Sequence, residues 1–142
     1  MIPEAAKKIV VMFEGCSLEP YEDVAGNWTV GVGHLIPKDQ PIRAISQQEA
    51  DDLLVVDLAS ASDDVRRYVT VPLNDNQLSA LISFTFNLGG PALKGSTLLK
   101  KLNAGDYFGA SQEFPKWSNA GGVRVQGLLR RRLAEQALFI KK

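Results

Sequence analysis

Residues 14–35 read EGCSLEPYEDVAGNWTVGVGHL. Pro20, Gly26, Gly31 and Gly33 fall within this stretch and Pro37 just beyond it, with short runs such as Trp28-Thr29-Val30 between them. A helix does not tolerate breakers at that density, whereas short strands joined by glycine turns do. Residues 17–37 therefore predict a small, irregular antiparallel sheet, with Ala25-Gly26 as a turn.

On either side the pattern is helical. Ahead of the sheet, Ile9, Val10, Met12 and Phe13 form an apolar stripe, Pro3 suits a first turn and Gly15 a stop, so a helix is expected from Pro3 to about Gly15. Beyond it, Ser46-Gln47-Gln48-Glu49 has capping-box spacing and opens a helix running to about Thr70, ended by Val71-Pro72. Asn74 with Gln77 caps the next helix, and Leu78 to Leu88 is apolar enough to be buried on all sides. Gly89-Gly90-Pro91 is read as a break. Short helices follow at Ser96–Asn103 and Asp106–Phe114, Gly121-Gly122 is a loop, and Gly127–Lys142 is the last helix. The expectation is one α+β domain over residues 1–142, with the sheet at about 17–37 and a helical body at about 46–142.

The chain of 142 residues is 45% hydrophobic and 23% charged, as in ordinary globular domains. Its longest apolar run near the N-terminus, Ile9 to Phe13, is too short for a membrane span or a signal core. No membrane anchor or export signal is expected, and synthesis in the cytoplasm is. Cys16, the sole cysteine, excludes an internal disulfide. With a single histidine, His34, it makes no metal-binding cluster, so neither metal nor cofactor is called for. The net charge of zero argues against nucleic acid as the partner. The charge is unevenly spread, −6 over residues 1–115 and +6 over 116–142. A basic face for an anionic polymer and a solvated arginine-rich helix both accommodate that split.

Glu14, Asp23 and Thr29 form the candidate chemical set. Cleaving a glycosidic bond takes two carboxyl groups in unlike surroundings, one holding a proton for the leaving oxygen and one remaining ionised. Glu14 ends an apolar helix beside Phe13, where one flank should be dry, and Asp23 sits in a polar turn. A hydroxyl such as Thr29 can orient a water.

Glu14-Gly15, Leu18, Tyr21, Asp23, Gly26, Thr29 and Gly31-Val32-Gly33-His34 closely resemble the active-site signature of glycoside hydrolase family 24, the phage-type lysozymes. Phe86-Asn87-Leu88-Gly89, Ser96-Thr97-Leu98-Leu99, Trp117, Gly127-Leu128, Arg131-Arg132 and Glu135 resemble later family blocks in order, so the likeness spans the chain. Cys16, Ser17 and the small Val32 depart from the usual pattern and could alter cleft width.

The resemblance implies a lysozyme-like fold and a muramidase cutting the β-1,4 bond between N-acetylmuramic acid and N-acetylglucosamine. It implies Glu14 as general acid, with Asp23 and Thr29 holding the attacking water. Direct displacement with inversion requires the carboxyls to lie roughly 6.5–9.5 Å apart. It also implies Leu35, Phe86 and Thr97 on the cleft wall, although plain core packing accounts equally for Phe86. His34 is expected to bond to Asp57 in a supporting role, and Arg131 to point inward. The implied partner is bacterial peptidoglycan, met after release from the cytoplasm, and the expected state is a monomer. Two other readings stay open: a lytic transglycosylase on the same bond, and a non-catalytic wall-binding module.

Overall fold

The computed structural model describes residues 2–23 and 25–142. Pro3 lies just ahead of helix α1 (Glu4–Glu14), which buries Ala6, Ile9 and Val10. The helix stops where Gly15 takes φ +66° and donates its N–H to the Val11 carbonyl at 2.9 Å. Glycine enters that left-handed region without the steric cost that other residues bear. The chain then turns into an antiparallel sheet of β1 (Ser17–Glu22), β2 (Trp28–Gly31) and β3 (His34–Leu35), in that spatial order. Pro20, which has no N–H to give a ladder, lies on the edge strand β1, and the register shifts between Ser17 and Tyr21. Tyr21 pairs with Thr29, and Thr29 in turn with Leu35.

Both capping boxes form. Ser46 and Glu49 close the start of α2 (Gln47–Tyr68), and Asn74 and Gln77 that of α3 (Asp75–Leu88). Every residue from Leu78 to Thr85 is buried, because α3 runs between α1, α2 and the last helix, α7 (Gln126–Ile140). Around it lie Val10, Leu58, Leu98, Phe114 and Phe139. Phe84 meets Phe114 and Trp117 edge-on, with centroids 5.7 and 5.5 Å apart. Truncating a ring buried this fully costs about 3–5 kcal/mol.

Three local features differ from the sequence expectation. Gly89-Gly90-Pro91 does not simply break the chain: Gly90 begins α4 (Gly90–Lys94), with Pro91 in its first turn, where a missing N–H costs nothing. The segment expected as one helix to Phe114 is α6 (Tyr107–Ser111) followed by a 3-10 turn at Phe114–Lys116, after the intervening α5 (Thr97–Asn103). The Gly121-Gly122 loop is the two-residue turn of a hairpin, β4 (Asn119–Ala120) with β5 (Val123–Arg124). Both glycines have positive φ, 58° and 78°, as tight hairpin turns require. No helix among the described residues is long and apolar enough to cross a membrane.

Candidate active site

The last turn of α1 delivers Glu14 to the rim of the sheet. Its carboxyl lies against Gly33, where a Cβ would come within 2.5 Å of Glu14 Oε1. The flank expected to be dry instead carries a guanidinium. Arg131 of α7 donates from Nη1 to Glu14 Oε2 at 2.5 Å, while Arg131 is 4% and Glu14 18% exposed. The Arg131 guanidinium also lies 5.8 Å from the Phe13 ring centre. Periodicity on α1 could not foresee this, because the cation comes from 117 residues away.

Asp23 occupies the turn between β1 and β2. Its Oδ1 accepts the backbone N–H of Ala25 at 2.9 Å and of Asn27 at 2.8 Å, and Oδ2 faces Asn27 Nδ2 at 3.4 Å. The Asn27 N–H, foremost among these donors, holds the carboxyl below its ordinary value, so it is an anion at neutral pH. Thr29 is buried on β2 and donates from Oγ1 to the Asn27 carbonyl at 3.3 Å. Asn27 thus serves both side chains with its two backbone groups. Its only sequence signal was its place four residues after an aspartate in a turn. Tyr21, paired with Thr29, sits close to both carboxyls. Burial raises its phenol first, and the charges of Glu14, Asp23 and Cys16 raise it further.

Behind Glu14 is a buried ionic cluster. Arg131 Nε lies 3.4 Å from Glu135 Oε2, which also accepts Ser83 Oγ at 2.6 Å. Arg132 donates to Asn87 Oδ1, and its Nη1 lies 3.3 Å from Glu135 Oε1 without hydrogen-bond alignment. Burial pushes the Glu135 carboxyl up and pulls Arg132 down to about 10. Two arginines of the basic C-terminal segment are therefore internal, and Arg130 is exposed.

Two grooves adjoin Glu14. One of about 300 Å³ is lined by Gly33, Leu35, Asp57, Asp64, Thr85 and Phe86. In it Leu35 is 56% exposed and Phe86 half-buried, its ring packed on the core. Thr97, exposed at the start of α5, is not part of that lining. The other, of about 640 Å³, contains Glu14 itself with Phe13, Asn87, Val125 and Arg131. His34 Nδ1 lies 2.8 Å from Asp57 Oδ2, joining β3 to α2. A further cavity of about 390 Å³, between the 36–45 loop and α2, contains none of Glu14, Asp23 and Thr29.

The phage lysozyme family model matches residues 11–135. The chain belongs to the phage lysozyme family. It is a lysozyme-type glycoside hydrolase that degrades cell-wall material. This lysozyme is 43% identical over 142 residues to an endolysin of Acyrthosiphon pisum secondary endosymbiont phage 1, with 97% of each chain covered. It is 42% identical over 136 residues to the SAR-endolysin of Escherichia phage Mu, covering 96% of this chain and 79% of that one. Among solved structures, the muramidase domain of SpmX from Asticaccaulis excentricus superposes with a TM-score of 0.89 at 31% identity. That match covers 100% of this lysozyme and 99% of the domain. The α+β expectation, a small sheet on a helical body, therefore coincides with the lysozyme fold.

Proposed function

We propose that the protein hydrolyses the β-1,4 bond between N-acetylmuramic acid and N-acetylglucosamine in bacterial peptidoglycan by direct displacement with inversion. Glu14 gives its proton to the bridging oxygen as the bond to the sugar carbon breaks. Asp23 takes a proton from a water that Thr29 helps to hold, and the resulting oxygen nucleophile adds to the opposite face of that carbon. The observation that carries the reading is the pairing through Asn27. Its N–H keeps Asp23 ionised, and its carbonyl fixes the Thr29 hydroxyl beside the same turn. An anion and a hydroxyl oriented by the same residue are what an activated water needs.

In this reading Leu35, Phe86 and Thr97 contact the glycan, Arg131 orients Glu14, and the His34–Asp57 bond holds β3 in place. The protein acts on the wall as a monomer. Product analysis on purified peptidoglycan tests the chemistry. Reducing-end muramic acid of inverted anomeric form, with cleavage lost in Asp23→Ala, is the expected result. Anhydro products, or substantial cleavage by Asp23→Ala, point instead to a transglycosylase. No cleavage by the intact protein points to a wall-binding module.

A further inference from the structure

Arg131 divides its guanidinium between two carboxyls. Nη1 meets Glu14 at 2.5 Å, Nε approaches Glu135 at 3.4 Å, and Nη2 donates to the Ser83 carbonyl at 3.2 Å. Glu135 is 0% exposed, so it can touch neither glycan nor water in the grooves. Its Oε2 is fixed by the Ser83 hydroxyl at 2.6 Å, and Arg132 lies on its other side. Groups from α7, the sheet and α3 surround Glu14. From α7 come Arg131, Arg132 and Glu135 within the protein, with Arg130 at the edge of the adjoining groove. From the sheet side comes the Tyr21 phenol, which feels the Glu14 charge and on which Asp23 and Cys16 act in turn. From α3 come only the uncharged Ser83 and Asn87. With Glu14 ionised, two buried arginines balance two glutamates.

A general acid has to carry a proton at the working pH, and an undivided guanidinium beside it favours the opposite state. We propose that Glu135 is a positioning residue for the reaction: by engaging Arg131 from behind, it offsets the guanidinium's hold on Glu14 and lets Glu14 be protonated for catalysis. The proposal rests on Glu14 being the acid. Without the Glu135 charge, the cluster is cationic even when Glu14 is ionised. Protonating Glu14 then adds to an uncompensated buried charge.

The test is the pH profile of peptidoglycan clearing by the wild type, Glu135→Gln, Glu135→Asp, Ser83→Ala and Glu14→Gln on one substrate preparation. For Glu135→Gln the alkaline limb should move to lower pH by about one unit, a loss of about tenfold at a pH on that limb. Glu135→Asp should recover part of the shift. Ser83→Ala, which loses only a hydroxyl from within α3, should show a smaller displacement in the same direction and serves if Glu135→Gln does not fold. An unmoved alkaline limb in the folded variants, with only a lower melting temperature, overturns the proposal. Glu14→Gln separates the two assignments. If it still clears wall with the wild-type limb, the Glu14 assignment has failed and this proposal with it. If it is inactive while the Glu135 and Ser83 variants keep the wild-type limb, only the role of Glu135 has failed.

Discussion

The Glu14 carboxyl occupies the space that a side chain at Gly33 would need. A Cβ there would lie 2.5 Å from Oε1 and 2.8 Å from the carboxyl carbon. Gly33 also has φ +65°, so two independent constraints coincide at one residue. The β2–β3 turn is thereby both a tight corner of the sheet and one wall of the acid's seat. Gly33→Ala should cost about 1–2 kcal/mol through the backbone alone. It should also displace Glu14, so that clearing activity falls by more than the loss of folded protein explains. Urea melts alongside rate measurements at a temperature where the variant is folded check both parts.

His34 and Asp57 fasten a strand of two residues to the long helix α2. So short a strand has few ladder bonds of its own, and the side-chain bond supplies much of its anchorage. Both groups are mostly shielded, with 19% and 28% of their side chains exposed. Asp57→Ala should lower unfolding free energy by about 1–2 kcal/mol. Chemical denaturation near neutral pH is the measurement, and an unchanged midpoint would show that the bond contributes nothing net.

Acid should unfold the protein in part through Glu113 and Glu49. Glu113 is 5% exposed and held below its ordinary value first by the Lys116 ammonium at 2.7 Å, then by Lys101 at 2.9 Å. Glu49 is lowered to about 2, chiefly by its bond to Arg43 and then by the Ser46 N–H. Because both carboxyls titrate lower when folded, their contributions are complete above the unfolded value of about 4.3. They are lost as pH falls through the lower folded values. Glu113→Gln should flatten the decline in melting temperature below that point, as scanning calorimetry across acid pH can show.

The two capping boxes fix where α2 and α3 begin. Ser46 Oγ accepts the Glu49 N–H at 3.1 Å, and Asn74 Oδ1 accepts the Gln77 N–H at 2.7 Å. Ser46→Ala and Asn74→Ala should each cost about 1 kcal/mol. The 22-residue length of α2 separates the two caps, and they share no partner, so the double variant should show the sum. Equilibrium melts of the three variants measure it.

The features legible in the sequence were local ones. Ser46 and Asn74 announced their helices because a cap and its partner lie within one turn. Gly15, Gly31 and Gly33 marked sharp changes of direction because only a few dihedrals decide them. The spacing of Glu14, Asp23 and Thr29 placed an acid at a helix end, a second acid in a turn and a hydroxyl on a strand, and the chain folds that way. Asn27 stayed hidden because it acts through its backbone, which every residue type possesses. The 119–124 hairpin was also missed, since two pairs of residues are too few to show alternation.

Tertiary structure alone decided what surrounds Glu14. Sequence periodicity describes one element at a time, and α1 read by itself promised an apolar flank. The actual neighbours are Gly33 from the sheet turn and Arg131 from the far end of the chain, backed by Glu135 and Ser83. Three adjacent arginines on α7 cannot share one direction, because successive residues differ by about 100°. Which of them turned inward depended on how α7 packs against α1 and α3, and that is settled only when all three helices are in place.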